Sequence, residues 1–192
     1  AVAVFADKTV GADKAVSLTG STLAGADAGN YTLSLDGAPT TSADITAKAL
    51  TVTDAVADDK VYDGDTDATI SGSTLVGAVD GDDVSLDATA GTFAQSDVGT
   101  GIAVTAALTI TGTDAGNYTL TQPTGLSADI TAQELTIGGT FTASDKVYDG
   151  GTAATIDDNS LSLVTPEPGD TVTLSAVAVF ADKTVGADKA VS

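Results

Sequence analysis

The sequence has 192 residues, and its 27 acidic and 7 basic side chains give a net charge of −20. An acidic field of this size repels phosphate backbones and anionic membranes, so nucleic-acid binding is not expected. The absence of Cys excludes disulfides, Cys-ligated metals and thiol catalysis. No apolar run approaches the roughly 18 residues of a transmembrane helix, so membrane insertion is not expected either.

Residues 1–48 show short strand-like runs separated by polar turns. The runs at 1–5, 15–19 and 31–35 are rich in Val, Leu, Ala and Thr, which favours strands. Gly and Asn within 26–30 tolerate positive φ, so this stretch is predicted to be a turn. We therefore expect strands on both sides of it, with 31–35 as one of them.

Residues 49–132 contain about seven further strand candidates. The first is 50–56, the longest is 102–111 and the last is 126–131. No window carries a 3.6-residue apolar stripe with helix caps. Eight apolar side chains of these runs are predicted to be largely buried. They are Val52, Ile70, Leu86, Phe93, Val104, Leu108, Tyr118 and Ile130.

Many short strands separated by Gly, Asp and Asn turns are typical of a β-sandwich. About seven strands in one module suit an immunoglobulin-like topology. The alternative is a β-grasp-like sheet, which would need a helix that the pattern does not predict. The predicted fold class is therefore all-β, with tandem β-sandwich modules.

Three separate markers return along the chain with one period of about 86 residues, which indicates a repeat array. The pairs of matching stretches are 60–64 and 146–150, 27–33 and 114–120, and 42–47 and 127–132.

The repeat divides the chain after residues 48 and 132. Residues 49–132 are predicted to be one complete β module. Residues 1–48 are the C-terminal part of an earlier module, and residues 133–192 are the N-terminal part of the next one. Residues 1–17 are identical to residues 176–192. The chain is therefore expected to be a window on a longer, nearly identical array.

Five motifs stand in the complete module. They are Lys-Val-Tyr-Asp-Gly at 60–64, Gly-Asp-Asp-Val at 81–84, Gly-Thr-Phe at 91–93, Asp-Val-Gly at 97–99, and Asp-Ala-Gly-Asn-Tyr-Thr-Leu at 114–120. Together they resemble the YDG-type repeat, a relative of the MBG repeats of large bacterial surface and filamentous haemagglutinin-like adhesins. The resemblance covers essentially the whole chain and implies a secreted stalk or fibre with a role in adhesion or biofilm. It carries no catalytic residues.

Catalysis is not expected, because the chain has no His and no nucleophile with a recognisable base beside it. Calcium is the better chemical hypothesis, since closely spaced carboxylates suit this hard cation. The weak candidate ligands fall in two clusters: Asp63, Asp65 and Asp67, and then Asp80, Asp82 and Asp83. The second copy of the first cluster keeps only Asp149, so structural turns are the interpretation favoured, and no cofactor is required.

The four tyrosines flank turns. Packing at a sheet edge, with the hydroxyl bonded to backbone, is favoured over sugar stacking because no Trp or aromatic cluster accompanies them. Lys60 and Lys146 recur beside the motif tyrosine. A surface lysine is favoured over a Lys–Asn isopeptide bond, since the sequence does not bring the two side chains together.

The predicted function is a structural segment of an extracellular bacterial adhesive fibre or stalk made of tandem β modules. The expected partners are neighbouring modules joined head to tail in a homopolymeric fibre, and a host or biofilm surface ligand. The expected location is the cell surface or the extracellular medium. The alternative function is an adhesin module that binds a glycan or calcium.

The two partial modules are not expected to stand free, because half a sandwich exposes unpaired strand edges. Residues 133–175 followed by 1–48 read as one whole module. Either a continuous chain extends the array, or the end of one chain completes the start of the next by strand exchange. The identical residues at 1–17 and 176–192 favour the continuous chain, because exchange would bring two copies of one strand to one place.

Overall fold

The computed structural model describes residues 2–87, 89–164 and 166–192. These residues form twenty short strands and two three-residue 3₁₀ turns, without an α-helix. The predicted all-β class is confirmed, and the separate sheets are consistent with a β-sandwich. Within this described part, no helix is long and apolar enough to cross a bilayer.

The first copy, residues 1–48, forms a three-stranded antiparallel sheet. Its strands are β1 (Val2–Phe5), β2 (Gly11–Thr19) and β3 (Thr41–Ile45). The order is β1-β2-β3, so β2 is central and β1 is an edge strand.

The complete copy, residues 49–132, shows eleven strands among its described residues, more than predicted. They are β4 (Lys48–Thr53), β5 (Val56–Ala57), β6 (Lys60–Val61), β7 (Asp67–Ser71), β8 (Thr74–Val76), β9 (Ser85–Asp87), β10 (Ala90–Phe93), β11 (Gly99–Ala106), β12 (Thr109–Thr111), β13 (Tyr118–Thr121) and β14 (Leu126–Thr131). One sheet has the order β5-β7-β10-β11-β14-β6. A second has the order β13-β4-β8, with β13 parallel to β4, and β12 pairs with β9 in a third.

The third copy, residues 133–192, forms three two-stranded antiparallel sheets. Its strands are β15 (Thr136–Gly138), β16 (Phe141–Ala143), β17 (Ala153–Ala154), β18 (Ile156–Asn159), β19 (Ser162–Val164) and β20 (Ala178–Val179). The pairs are β15 with β19, β16 with β18, and β17 with β20.

The chain divides into two compact units. One consists of residues 1–60, 66–95 and 99–129, and the other of residues 61–65, 96–98 and 130–192.

The core lies in the complete copy. Among the described residues, twelve of the thirteen buried apolar side chains belong to it, and Ala178 is the exception. The twelve are Leu50, Ala57, Ala68, Ile70, Phe93, Ile102, Val104, Ala106, Leu108, Tyr118, Ala128 and Ile130. Small aliphatic side chains therefore supply most of the packing, as the scarcity of aromatic residues requires.

Strand β11 is buried on one face and exposed on the other. Its buried residues alternate with exposed ones, because successive side chains of a strand point to opposite faces. On the neighbouring strand β10, a Cβ at Gly91 would lie 3.0 Å from Ile70 Cδ1 and 3.2 Å from Val104 Cγ1. Glycine therefore lets β7 and β11 pack their side chains over β10.

Six of the eight predicted core residues are buried, and Val52 and Leu86 are half-buried. Three strand predictions were wrong in detail. Residues 31–35 are not a strand, the predicted strand at 50–56 is broken between β4 and β5, and the predicted strand at 102–111 is broken between β11 and β12. The break between β11 and β12 is explained by Gln122, whose side-chain amide donates to Leu108 O (2.7 Å) and accepts from Leu108 N (2.9 Å). These bonds replace the backbone ladder at Leu108.

Candidate functional site

The Tyr-Asp-Gly motif forms the same turn in two copies. The N–H of Asp65 donates to the Asp63 carboxylate at 3.2 Å, and the N–H of Gly151 donates to the Asp149 carboxylate at 2.9 Å. The motif glycines have φ of 82° at Gly64 and 81° at Gly150, a region that side chains strongly disfavour. The aspartate therefore closes the turn and the glycine permits it.

The motif lysines donate hydrogen bonds to the backbone of the strand that follows the turn. Lys60 Nζ donates to the backbone oxygen of Asp67 (3.1 Å) and lies 5.8 Å from the centre of the Phe93 ring. Lys146 Nζ donates to Ala153 O (3.1 Å) and lies 5.9 Å from the Phe180 ring. Both distances suit a cation–π contact. The recurring lysine therefore has a recurring structural role.

Tyr118 is the centre of a polar network in the complete copy. Its side chain is buried, its hydroxyl donates to the Asp82 carboxylate (2.6 Å), and it accepts from the N–H of Val79 (3.1 Å). Lys8 Nζ also donates to Asp82 at 2.8 Å. The pKa of Asp82 is lowered, first by Lys8 and then by Tyr118, and the carboxylate raises the pKa of Tyr118. The predicted bond from a tyrosine hydroxyl to backbone is confirmed here.

A second set of bonds closes the loop that precedes Tyr118. The Asp83 carboxylate accepts from both the N–H and the Oγ1 of Thr113 (3.0 Å each), which lowers the pKa of Asp83. The N–H of Asp83 donates in turn to the Asp114 carboxylate at 2.9 Å. Asn117 Oδ1 accepts from the N–H of Val10 at 3.0 Å, so this amide bonds to the backbone of the first copy.

Tyr62 lies in a different setting, beside a small cavity of about 270 Å³. Its hydroxyl donates to the Asp170 carboxylate at 2.9 Å, which raises the pKa of Tyr62. Gln133 Nε2 donates to Glu167 Oε1 (2.9 Å) on the cavity wall. When β19 is aligned with β8 through their pairings with β15 and β4, the third copy has two extra residues after the motif at 146–150, and Asp170 then stands where Asp82 stands in the complete copy. Asp82 therefore binds Tyr118, whereas Asp170 binds Tyr62. The two aspartates occupy the same repeat position, but the two tyrosines do not.

The candidate calcium ligands divide into turn-forming and network residues. Asp63 bonds within its own turn, Asp82 binds Lys8 and Tyr118, and Asp83 binds Thr113. In the described ranges, no group of three or more His, Cys, Asp or Glu side chains could hold a metal ion. Calcium binding by Asp63, Asp65 and Asp67, or by Asp80, Asp82 and Asp83, stays a prediction for the titration described below.

The contacts that sequence reasoning missed join residues far apart in the chain. Lys8 and Asp82 are 74 positions apart, and Tyr62 and Asp170 are 108 apart. Neither spacing carries a periodic signal. The repeat itself was the available clue, because Asp82 and Asp170 occupy equivalent positions.

Comparison with known families gives one result. The family model described as the YDG domain matches residues 1–42, 46–125 and 131–192. No curated protein and no solved structure matches the chain. The three matched stretches follow the three copies of the repeat closely.

Proposed function

The chain belongs to the YDG domain family, and from this premise we propose that it is a structural segment of an extracellular bacterial adhesive fibre or stalk made of tandem β modules. The observation that carries the proposal is the three successive YDG matches within 192 residues. Repeated small modules that each contact their neighbours stack into extended, quasi-one-dimensional arrays.

The recurrence of local contacts supports this proposal. Asp7 accepts from Lys14 Nζ in the first copy, and Asp182 accepts from Lys189 Nζ in the third. The motif turn and its lysine recur in the same way between the complete and third copies. Equivalent residues of different copies thus form the same local bonds, as expected of repeated modules in a fibre.

The proposal assigns the protein reach and stiffness rather than catalysis. The partners are neighbouring modules joined head to tail in a homopolymeric fibre, and a host or biofilm surface that the fibre contacts. A net charge of −20 keeps such fibres apart and hydrated, which favours solubility outside the cell. No cofactor is needed for this role.

Immunogold labelling of whole cells tests the location. Antibodies raised against the chain should label structures outside the cell, while antibodies against a cytosolic protein should label only broken cells. Labelling confined to the interior would overturn the proposal. Single-molecule stretching of the purified chain tests the mechanical role, and a featureless extension without unfolding events would contradict it.

The alternative function is binding of a glycan or calcium by the module. A glycan array and a calorimetric titration with Ca²⁺, both on the whole chain, measure it directly. Saturable binding of one sugar class would replace the structural proposal with the alternative.

A further inference from the structure

Residues 6–10 of the first copy, which join β1 to β2, contact the complete copy directly. We call this segment the connector loop. Lys8 Nζ donates to Asp82 Oδ1 at 2.8 Å and lies 3.7 Å from Asp114 Oδ1. Both carboxylates belong to the complete copy, so this ion pair joins two successive copies of the repeat.

The complete copy bonds the other oxygen of each carboxylate itself. Asp82 Oδ2 accepts from the hydroxyl of Tyr118, and Asp114 Oδ2 accepts from the N–H of Asp83. The Oδ1 atoms of both carboxylates are the ones that Lys8 contacts. The side chains of Asp82 and Asp114 are only 11% and 23% exposed, and carboxylates so far withdrawn from water need donors to offset the cost.

Val10 adds a second contact that does not depend on charge. Its N–H donates to Asn117 Oδ1 at 3.0 Å, and this bond is partly buried. Asn117 is the last residue of the 3₁₀ turn Ala115–Asn117, directly before β13. Two donors of the connector loop thus meet three acceptor oxygens of the next copy.

Lys8 differs from other paired lysines of the chain in the distance to its partner. Lys14 and Lys189 each pair with an aspartate seven positions away, within a single copy. Asp82 is 74 positions from Lys8. In a chain of net charge −20, loss of Lys8 would leave the carboxylates of Asp82 and Asp114 without this cation, and neighbouring like charges repel each other.

The complete copy has an equivalent connector loop at residues 94–98, between β10 and β11. Phe93 lies opposite Val104 across this loop, and Phe5 lies opposite Val16 across the first one. Both pairs bracket the same number of residues, so the two loops correspond without a gap.

The second connector loop also lies against the copy that follows it. Residues 96–98 belong to one compact unit with residues of the third copy. Asp97 and Val98 line the cavity of about 270 Å³ whose wall includes Asp170. Asp170 occupies the repeat position of Asp82, which is the partner of the first connector loop. The same loop therefore approaches the same position of the next copy in both cases.

The two connector loops differ at the residue that makes the ion pair. Ser96 stands where Lys8 stands, so the second loop presents no ammonium group at this position. The donor that the structure gives Asp170 is the neutral hydroxyl of Tyr62, bonded to Oδ2. The first contact is therefore ionic, and the second is not.

We propose that the connector loop is the surface through which each copy contacts the next, and that its third residue, Lys8 or Ser96, determines whether the contact is ionic. This inference rests on the proposed fibre and names the surface that couples its modules. Lys8 is a positioning residue, because it fixes the loop on Asp82 and Asp114. Its side chain is 70% exposed, so dissolved ions reach the pair and weaken it. Ionic strength should then loosen the Lys8 contact and leave the Ser96 contact unchanged.

Amide hydrogen exchange of the whole chain, followed by NMR, measures the first contact at the Val10 N–H. Lys8→Ser gives the first connector loop the residue of the second. At low salt this variant should raise the exchange rate of the Val10 N–H about threefold or more, because the loop opens more often without its ion pair. The difference from the wild type should shrink between about 50 and about 500 mM NaCl, since salt screens the pair.

Lys48→Ser is the matched control. It removes the same charge from an exposed lysine of the same compact unit, one without an ion pair among the described residues. The control should leave the exchange rate of Val10 unchanged. A rate that Lys8→Ser does not alter, or that both variants raise equally, would overturn the ionic contact. Circular dichroism spectra like that of the wild type establish that the variants fold.

Carbodiimide coupling tests both connector loops, because it joins an amine to a carboxylate in direct contact with loss of water. Peptide mass spectrometry of the wild type should find Lys8 joined to Asp82 or Asp114. The Ser96→Lys variant should add an amide between position 96 and Asp170, whose repeat counterpart already accepts a lysine. High salt should lower both yields.

The wild-type coupling needs no variant to fold, so it decides the first contact by itself. A missing Lys8 amide would overturn the connector loop as a contact surface. A Ser96→Lys chain without the second amide would refute the equivalence of the two loops. Mixing chains labelled with ¹⁴N and ¹⁵N shows whether each amide forms within one chain, and products of mixed mass would contradict the assignment.

The two proposals fail separately. A protein labelled outside the cell whose Lys8 does not couple would defeat the connector loop alone. A protein that forms both amides but is found only inside the cell would defeat the extracellular fibre alone.

Discussion

Leu50 and Leu135 occupy the same position of the repeat, but Leu50 is fully buried and Leu135 is half-buried. Replacing each by alanine measures how much this difference in burial contributes to stability. Leu50 is fully buried in β4, opposite Leu120 of β13. On another side, a Cβ at Gly77 would lie 3.5 Å from Leu50 Cδ2, so the backbone closes over the side chain. Alanine at this fully buried position would leave a cavity in the packing. Leu50→Ala should therefore lower the free energy of unfolding by about 3 to 5 kcal/mol.

Leu135→Ala should cost much less. Its side chain is half-buried, so alanine loses part of the transfer free energy and leaves no closed cavity, a loss of roughly 1 kcal/mol. Urea unfolding followed by far-ultraviolet circular dichroism, at low protein concentration, measures both variants. Equal losses would show that the edge of the third copy is as well covered as β4, and a loss below about 1 kcal/mol for Leu50→Ala would refute the assignment of the core.

Three further predictions concern polar groups. Tyr118→Phe should lower the melting temperature clearly, because it leaves the Val79 N–H and the Asp82 carboxylate without that hydroxyl, while Tyr31→Phe should not change it in the monomer. Ca²⁺ and Mg²⁺ at matched millimolar concentration should raise the melting temperature equally through screening, and a rise specific to Ca²⁺ would instead support a site at the Asp63 cluster. Lys14, followed by the hydroxyl and N–H of Thr9, lowers the pKa of Asp7 from 3.8 to about 2. The part of this stability that Lys14→Gln removes should be complete above about pH 4 and be lost as the pH falls through 2. An advantage as large at about pH 2 as at about pH 5 would contradict the pairing.

The parts of the fold that sequence predicted are those decided by short-range pattern. Residues 126–131 were predicted as a strand, and β14 has those limits. The turn at 26–30 contains the 3₁₀ segment Ala28–Asn30. Phe93 and Ile130 were predicted to be buried and are 2% and 1% exposed. Apolar alternation and turn residues predict strand limits, turns and buried side chains, because residues close together in the sequence determine these features.

The predictions that failed depend on partners far along the chain. A strand at 31–35 was predicted from composition, yet a strand exists only where another strand supplies its hydrogen bonds. The break at Leu108 depends on Gln122, whose amide bonds both backbone groups of Leu108. Periodicity predicts which residues favour a strand, and it says nothing about which partner a particular edge receives.

The same reasoning applies to the candidate site. The motif turn was predicted from Asp63 and Gly64, and the structure has it with Gly64 at positive φ. The pairing of Asp82 with Tyr118, across 36 positions, was not predicted, since a hydroxyl and a carboxylate of such separation have no sequence signature. The carboxylates read as candidate calcium ligands include Asp82 and Asp83, which bind donors of the protein itself.

The identical sequences at 27–33 and 114–120 separate local from long-range causes in this fold. Both make the same 3₁₀ turn and the same extended tyrosine, so those features belong to the local sequence. Only the second copy makes a strand and buries its tyrosine, so those features belong to the partner edge that β4 provides. The two copies of this sequence therefore separate what seven residues specify by themselves from what requires a paired strand elsewhere in the fold.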